Sequence, residues 1–515
     1  MNKKIQISLV IAILMALFLS SIAFAQYAGN SWVTAYQVVN TGDAPADIFI
    51  SYYDTNGDEV VAAQKTFTDV PAGSSRLVVQ FTDDPNLPSG RYSVVVSSDG
   101  PVAAITNQQL IPTGSTSYNP GPPFSTYSGI DSGSTKVTLP AVMYNWYGYY
   151  TDVFIMNVGS ADASNVDISY IPGELSGQAT GASGVTDNDN SINLYASMNV
   201  SQATLSSLGA PSGTFAGRFL GSAIIESDQP IAAVVNQHNP GAYKLMTYNG
   251  FTDAGALEVS VPNYMRGYFG YYTTLLVANP SETDTATVTL TYTPAETSPG
   301  NDYNLCTTSC APVTVSHTIA PGKSLTRYDG PGASDAQSDL DDSPVYIRFF
   351  GPVKISSDIP VVAQINIEAV SSGPAQAGSY NGIPTASASQ NVVVPVVLAD
   401  FYGYYTTMIV QNTTASAGSC TIEYTSDDVY SANTGATKSY VHSIPGNGAI
   451  TVYEGRAGGQ ENGDINSDTF WRDGVNKQFI GAATIDCNVD VVAFVNEEAD
   501  ISKKDSMYTM NTFNK

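Results

Sequence analysis

Positive charge is scarce in this 515-residue chain, where 20 Lys and Arg stand against 46 Asp and Glu, for a formal net charge of −26. A nucleic-acid or anionic-lipid surface needs clustered Lys and Arg, so neither class of partner is expected. Charge of either sign is sparse, at 13% of residues, so the polar surface must come from Ser, Thr, Asn, Gln and 32 Tyr. Histidine is nearly missing. His238, His317 and His442 are read as falling in different repeats at positions that do not correspond. No Gly-x-Ser-x-Gly elbow, His-Glu-x-x-His pair or Gly-x-x-x-x-Gly-Lys loop occurs, so the expectation is a protein that is not an enzyme. The paired carboxylates of a glycosidase leave no signature in spacing alone. Small repeated sandwiches, however, offer no deep cleft to hold them.

Long hydrophobic runs are absent beyond the N-terminus. Nothing after it approaches the ~20 apolar residues of a membrane span, so no transmembrane anchor is expected. Residues 1–25 read as a secretory signal, with Lys3 and Lys4 as basic region and Ile5 to Phe18 as apolar core. Ala23-Phe24-Ala25 forms a small-residue cleavage site before Gln26, with no lipoprotein cysteine. Losing Lys3 and Lys4 takes the formal charge to −28. The expected location is secreted, at the cell surface or outside the cell. Cysteine is limited to four residues, an even count suited to disulfides in an oxidising compartment. Cys306–Cys310 and Cys420–Cys487 are the simplest pairing. A zinc site is the competing reading, but only His317 lies near one pair.

What the chain does have is one phrase said four times. Gly148-Tyr149-Tyr150-Thr151 leads to Asn157, Gly270-Tyr271-Tyr272-Thr273 to Asn279, and Gly403-Tyr404-Tyr405-Thr406 to Asn412. Ser31-Trp32-Val33-Thr34 leads to Asn40 as a degenerate first copy. The Asn residues stand 117, 122 and 133 apart. That exceeds the roughly 20–50 residues of a solenoid repeat, so each copy is a whole domain.

Within a copy, period-2 alternation marks half-buried strands such as Asp47 to Tyr53, Val166 to Tyr170, Thr287 to Tyr292 and Cys420 to Tyr424. Asn56-Gly57 signals a hairpin, and Pro-Gly pairs mark further turns. Seven or so strands and no helix per copy predict an all-β fold. Its form would be four tandem immunoglobulin-like antiparallel β-sandwich domains, over 26–130, 131–256, 257–388 and 389–515. Three copies open with an extra strand ending in proline: Val137 to Pro140, Val259 to Pro262 and Val392 to Pro395. The first has no equivalent, which leaves either a sandwich edge open to strand addition or a shorter first strand that suffices. Only Thr113 to Thr135 reads as a loose linker, so the array is expected to be a semi-rigid rod.

This order of strand, Asn, small turn, alternating strand and Pro-Gly-Ser resembles the immunoglobulin-like, adhesion-type β-sandwich repeats of secreted bacterial surface proteins. The resemblance covers most of residues 27–515. It implies a structural or adhesive role at a cell surface or in extracellular matrix, by multivalent contact or self-assembly, and carries over no catalytic residue. The partner would be a cell-surface or matrix polymer, or copies of the chain itself. The alternative is a polysaccharide-binding protein. In either case Tyr149, Tyr150, Tyr271, Tyr272, Tyr404 and Tyr405 are the candidate binding residues. Successive strand residues face opposite sides, so one Tyr of each pair should pack and the other make contact. Trp146, Tyr147, Tyr268, Phe269, Phe401 and Tyr402 add aromatics just upstream. Calcium is the cation the Asp464, Asn466, Asp468 loop would hold, although a plain turn explains it as well.

Overall fold

The computed structural model describes residues 30–514 apart from 113–123, 176, 243, 296–303, 307–309, 332–336, 342–345, 370–375, 402, 427–434, 458–459, 462, 472–478 and 500–506. The signal segment, residues 113–123 of the expected linker and Tyr402 therefore lie outside the described residues. The fold is all-β, with strands paired antiparallel in several sheets. Among the described residues helix is confined to single turns such as Gln80–Asp83 and Gly463–Asn466.

The same strand roles recur along the chain. A motif strand ends at each Asn: Asn30–Asn40, Tyr150–Asn157, Tyr271–Ala278 (one residue short of Asn279) and Tyr404–Asn412. An alternating strand follows: Ala46–Tyr53, Ala163–Pro172, Ala286–Tyr292 and Gly418–Ser426. Its period-2 pattern buries Ile48, Ile50 and Tyr52 in the first copy and Cys420, Ile422 and Tyr424 in the fourth. Each such side chain contributes roughly 1.5–3 kcal/mol of hydrophobic stabilisation.

A long strand forms the spine of the later repeats: Phe219–Asn239, Tyr346–Ala369 and Phe479–Ala499. Its first half lies between the alternating strand and an opening strand, which is Ser134–Tyr144, Ala256–Tyr268 or Ser389–Ala399. Its second half lies between the motif strand and a closing strand, which is Lys244–Asn249, Ala377–Asn381 or Met507–Asn511. In the first repeat the spine is broken at Asp99-Gly100-Pro101 into Ser93–Ser98 and Val102–Pro112, and Phe124–Ser128 is the closing strand. Residues 124–128 of the expected linker are thus part of a sheet.

The repeats do not form a rod. The closing strands lie side by side in chain order, and that of the fourth returns to that of the first. The Tyr-Asn-Gly sequence accounts for the contact. Asn249 Nδ2 donates to the Ser128 carbonyl and Asn381 Nδ2 to the Asn249 carbonyl, both at 2.8 Å. Thr509 Oγ1 donates to the Ser379 carbonyl. Tyr248 and Tyr380 are buried and donate to the carbonyls of Ala141 and Asn263. Neighbouring cores interlock as well. Leu276 of the third repeat sits in the core of the second, Ile409 and Phe494 of the fourth in that of the third, and Ile105 of the first in that of the fourth.

Both cysteine pairs are joined as Cys306–Cys310 and Cys420–Cys487. Cys420 and Cys487 face each other across the alternating and long strands, with Cα atoms 4.0 Å apart. No helix among the described residues is long and apolar enough to cross a membrane.

Candidate functional site

The repeated motif builds a braced hairpin tip. Trp146 and Tyr149 exchange both backbone hydrogen bonds, at 3.0 and 2.9 Å, around Tyr147 and Gly148. Both central residues have positive φ, +50° and +87°, as a two-residue type I′ hairpin requires. Phe269 and Gly270 repeat this at +48° and +84°, and Gly403 does so at +81°. Glycine takes such angles freely, whereas an aromatic there is uncommon and strained.

The Thr of the motif is fully buried in the last three copies. Its Oγ1 accepts the N–H of Met143, Met265 or Leu398 at 2.9, 2.9 and 2.7 Å, tying the motif strand to the opening strand. The Asn at the far end is buried in all four copies. Asn157 Nδ2 donates to the carbonyls of Ala161 and Ile192 at 2.8 and 2.9 Å, and its Oδ1 accepts the Gly159 N–H at 2.9 Å. Asn40, Asn279 and Asn412 make the same three bonds. The Asn ties one turn to a second sheet segment, which is why it keeps its distance from the Thr.

The six tyrosines divide by position, though not into buried and exposed sets. Tyr149, Tyr271 and Tyr404 are half-buried against the cores of their own repeats. Tyr149 also donates at 2.5 Å to Glu368 of the third repeat, which takes the Lys244 ammonium at 2.9 Å. Tyr271 bonds Gln376, and burial raises its hydroxyl well above the usual range, aided by the nearby Glu498 carboxyl. Glu368 and Glu498 are equivalent long-strand positions, so this Tyr reaches the next repeat. Tyr150 and Tyr405 donate to Asn145 and Asp400, five residues earlier, at 3.4 and 3.1 Å. Tyr272 is half-buried beside Gly267. The second Tyr therefore braces the tip.

The strongly exposed aromatics are the tip residues, Tyr147 at 63% and Phe269 at 81%. Trp146 and Tyr268 support them edge-on at 5.3 and 4.7 Å, and the Arg218 guanidinium lies 4.4 Å from the Tyr147 ring centre. Period-2 reasoning set these positions beside the candidate Tyr pairs and not among them, because a turn is not a strand. The dipeptide of an aromatic and Gly at the centre of a two-residue hairpin was the available signal.

The acidic loop is engaged by protein groups. Asp464 begins the Gly463–Asn466 turn and accepts from Tyr424 at 3.0 Å and His442 at 2.9 Å. Asp468 accepts from Lys438, Tyr440 and the Phe470 N–H. The Lys438 hydrogen bond leads in holding the Asp468 carboxyl down at about 2. An ammonium thus stands beside the carboxylate a cation would use. The Asn466 side chain lies outside the described residues. Among the described residues no group of three or more His, Cys, Asp and Glu side chains is gathered for a metal.

Two histidines do correspond, contrary to the sequence reading. His317 stands opposite Val288 and His442 opposite Cys420, the same register position. His317 pairs with Asp339 at 3.1 Å and His442 with Asp464 at 2.9 Å, and each Asp takes the hydroxyl of the equivalent Tyr292 or Tyr424. A shared His-x-Ile ahead of Pro-Gly was the signal, obscured by one inserted residue. Burial opposes ionisation of Asp339, but His317 and Arg327 hold its carboxyl below the usual range. His238 pairs with Asp152 at 3.0 Å in another setting, beside the Tyr150 ring.

No family model matches this sequence, and no curated protein matches it. The solved structure of Thermotoga maritima 1070 is similar over 26% of this chain and 97% of that one, at 20% identity and a TM-score of 0.18. Similarity at that level bears on neither fold nor function.

Proposed function

We propose that this is an exported, non-enzymatic structural or adhesive protein of the cell surface or extracellular matrix. In this reading it consists of four immunoglobulin-like sandwich domains that act by repeated weak contacts. The observation that carries it is the pair of aromatic tips. Tyr147 and Phe269 stand exposed on strained hairpins that Tyr150 and the buried Thr residues hold rigid. Strain kept where it serves no core suggests a site. Rigid aromatics offer large contact area at low entropic cost, and copies on one body multiply weak affinities. The two disulfides and the leader-like N-terminus fit export.

The second reading is polysaccharide binding through the same tips, since flat exposed rings stack on sugar faces. Replacing Tyr147 and Phe269 together by Ser tests both. Thermal stability should stay within about 1 kcal/mol of the parent, as for exposed sites. Retention on the producing cell, or self-assembly seen by electron microscopy, should fall. Loss of binding on a glycan array would select the second reading. Unchanged retention, assembly and glycan binding would overturn both.

A further inference from the structure

Among the described residues the first repeat has no counterpart of the opening strand that the other three possess, and the residues around its place show it. In the later repeats the opening strand covers the outer edge of the long strand. Val137 lies against Ile225 and Leu139 against Ala223, Val259 against Ile355 and Val261 against Val353, Val392 against Ile485 and Val394 against Ala483. All twelve are at most 2% exposed. The corresponding residues of the first repeat are Val94 and Val96. They face its core but are only half-buried, and among the described residues no strand pairs with the outer edge of Ser93–Ser98.

The polar groups of that edge are directed outward. Asp99 N–H donates to the Asp47 carbonyl, and the Tyr52 carbonyl turns the other way to accept the Val60 N–H. Alternation along the antiparallel pair then places the N–H and C=O of Val94 and Val96 on the open side. The far wall is only partly filled, the Arg91 guanidinium lying 5.9 Å from the Phe154 ring centre. Phe154 and Met156 of the second repeat are half-buried, whereas their counterparts Leu276 and Ala278, and Ile409 and Gln411, are buried. Among the described residues both sides of the seam between the first and second repeats thus stop short by one strand.

We propose that this gap receives a β-strand from another polypeptide, running antiparallel to Ser93–Ser98. The occupant is an extended segment of opening-strand chemistry. Alternate β-branched or Leu residues enter the first core, backbone groups bond Val94 and Val96, and the other face meets Phe154 and Met156. By register with Ser134–Tyr144, residues 17–27 would hold this place within the chain. Their removal rests on the export reading, and the experiment separates the two.

Intact mass first establishes whether the exported protein starts at Gln26. A synthetic peptide of residues 256–266, from the opening strand of the third repeat, is then added. Saturable one-to-one binding is expected, with exchange at the Val94 and Val96 amides slowed roughly tenfold or more. The same peptide N-methylated at Val259 and Val261, which lose the amides facing the edge, should give neither effect. A chain starting at Gln26 that shows no protection, or binds both peptides equally, overturns the proposal and leaves the export reading standing. A chain that keeps residues 17–27 and protects both amides without peptide overturns both.

Discussion

Replacing Asn157 with Ala isolates the interaction that gives the repeat its fixed spacing. The side chain makes three bonds, to the Ala161 and Ile192 carbonyls and from the Gly159 N–H. The Ile192 carbonyl bond is buried and has no route to water, so losing it costs about 1–3 kcal/mol. The other two ends lie at a part-buried turn where water can substitute, at about 0.5–1.5 kcal/mol each. The expected loss is about 2–6 kcal/mol. Asn157→Asp is the sharper control. It keeps the acceptor for Gly159 but sets a carboxylate oxygen against two carbonyls, so at pH 7 it should cost as much as Ala or more. Below about pH 4 its protonated form regains one donor, and the deficit should shrink. Urea unfolding followed at Trp146 reports on the second repeat, provided Trp32 and Trp471 are replaced by Phe, since the chain has three Trp. A loss under about 1 kcal/mol for Ala, or wild-type stability for Asp at pH 7, would refute the account of the motif.

Burial raises the Glu497 carboxyl to about 8 and that of Glu498 to about 7. A raised folded value means these groups favour folding while protonated, so their contribution is full below about pH 4.5 and lost as pH rises through about 7 to 8, roughly 3–5 kcal/mol for each group. Glu497→Gln, which installs the residue found at the equivalent Gln108 and Gln237, should flatten that decline; parallel melting profiles from pH 5 to 9 would contradict it. Removing the Cys420–Cys487 bridge by a double Ala substitution opens a link between residues 67 apart, and should cost about 2–4 kcal/mol in denaturant titrations. An unchanged midpoint would count against it. Tyr149→Phe should lose about 1–2 kcal/mol with its bond to Glu368, and nothing further in a Glu368→Ala background, which has no acceptor; additive losses would show that the two residues act separately.

The all-β class, the fourfold repeat and the buried faces of the alternating strands were legible because a half-buried strand writes its burial into every second residue. Ile48, Ile50 and Tyr52, or Cys420, Ile422 and Tyr424, needed no partner to be identified. Local backbone chemistry was only partly legible. Tyr147 and Phe269 fell to the exposed tips because a two-residue hairpin, not strand alternation, governs those positions.

What the sequence could not determine is how the repeats meet. Closure depends on Asn249 and Asn381 finding carbonyls of neighbouring strands more than a hundred residues away, and on Leu276 and Ile409 entering cores that are not their own. Spacing within one repeat records the contacts that repeat makes with itself. A contact between repeats leaves no period to read, because the same Tyr, Asn or Leu serves equally in a rod or a ring. Only the packing of four closing strands against one another decided between them.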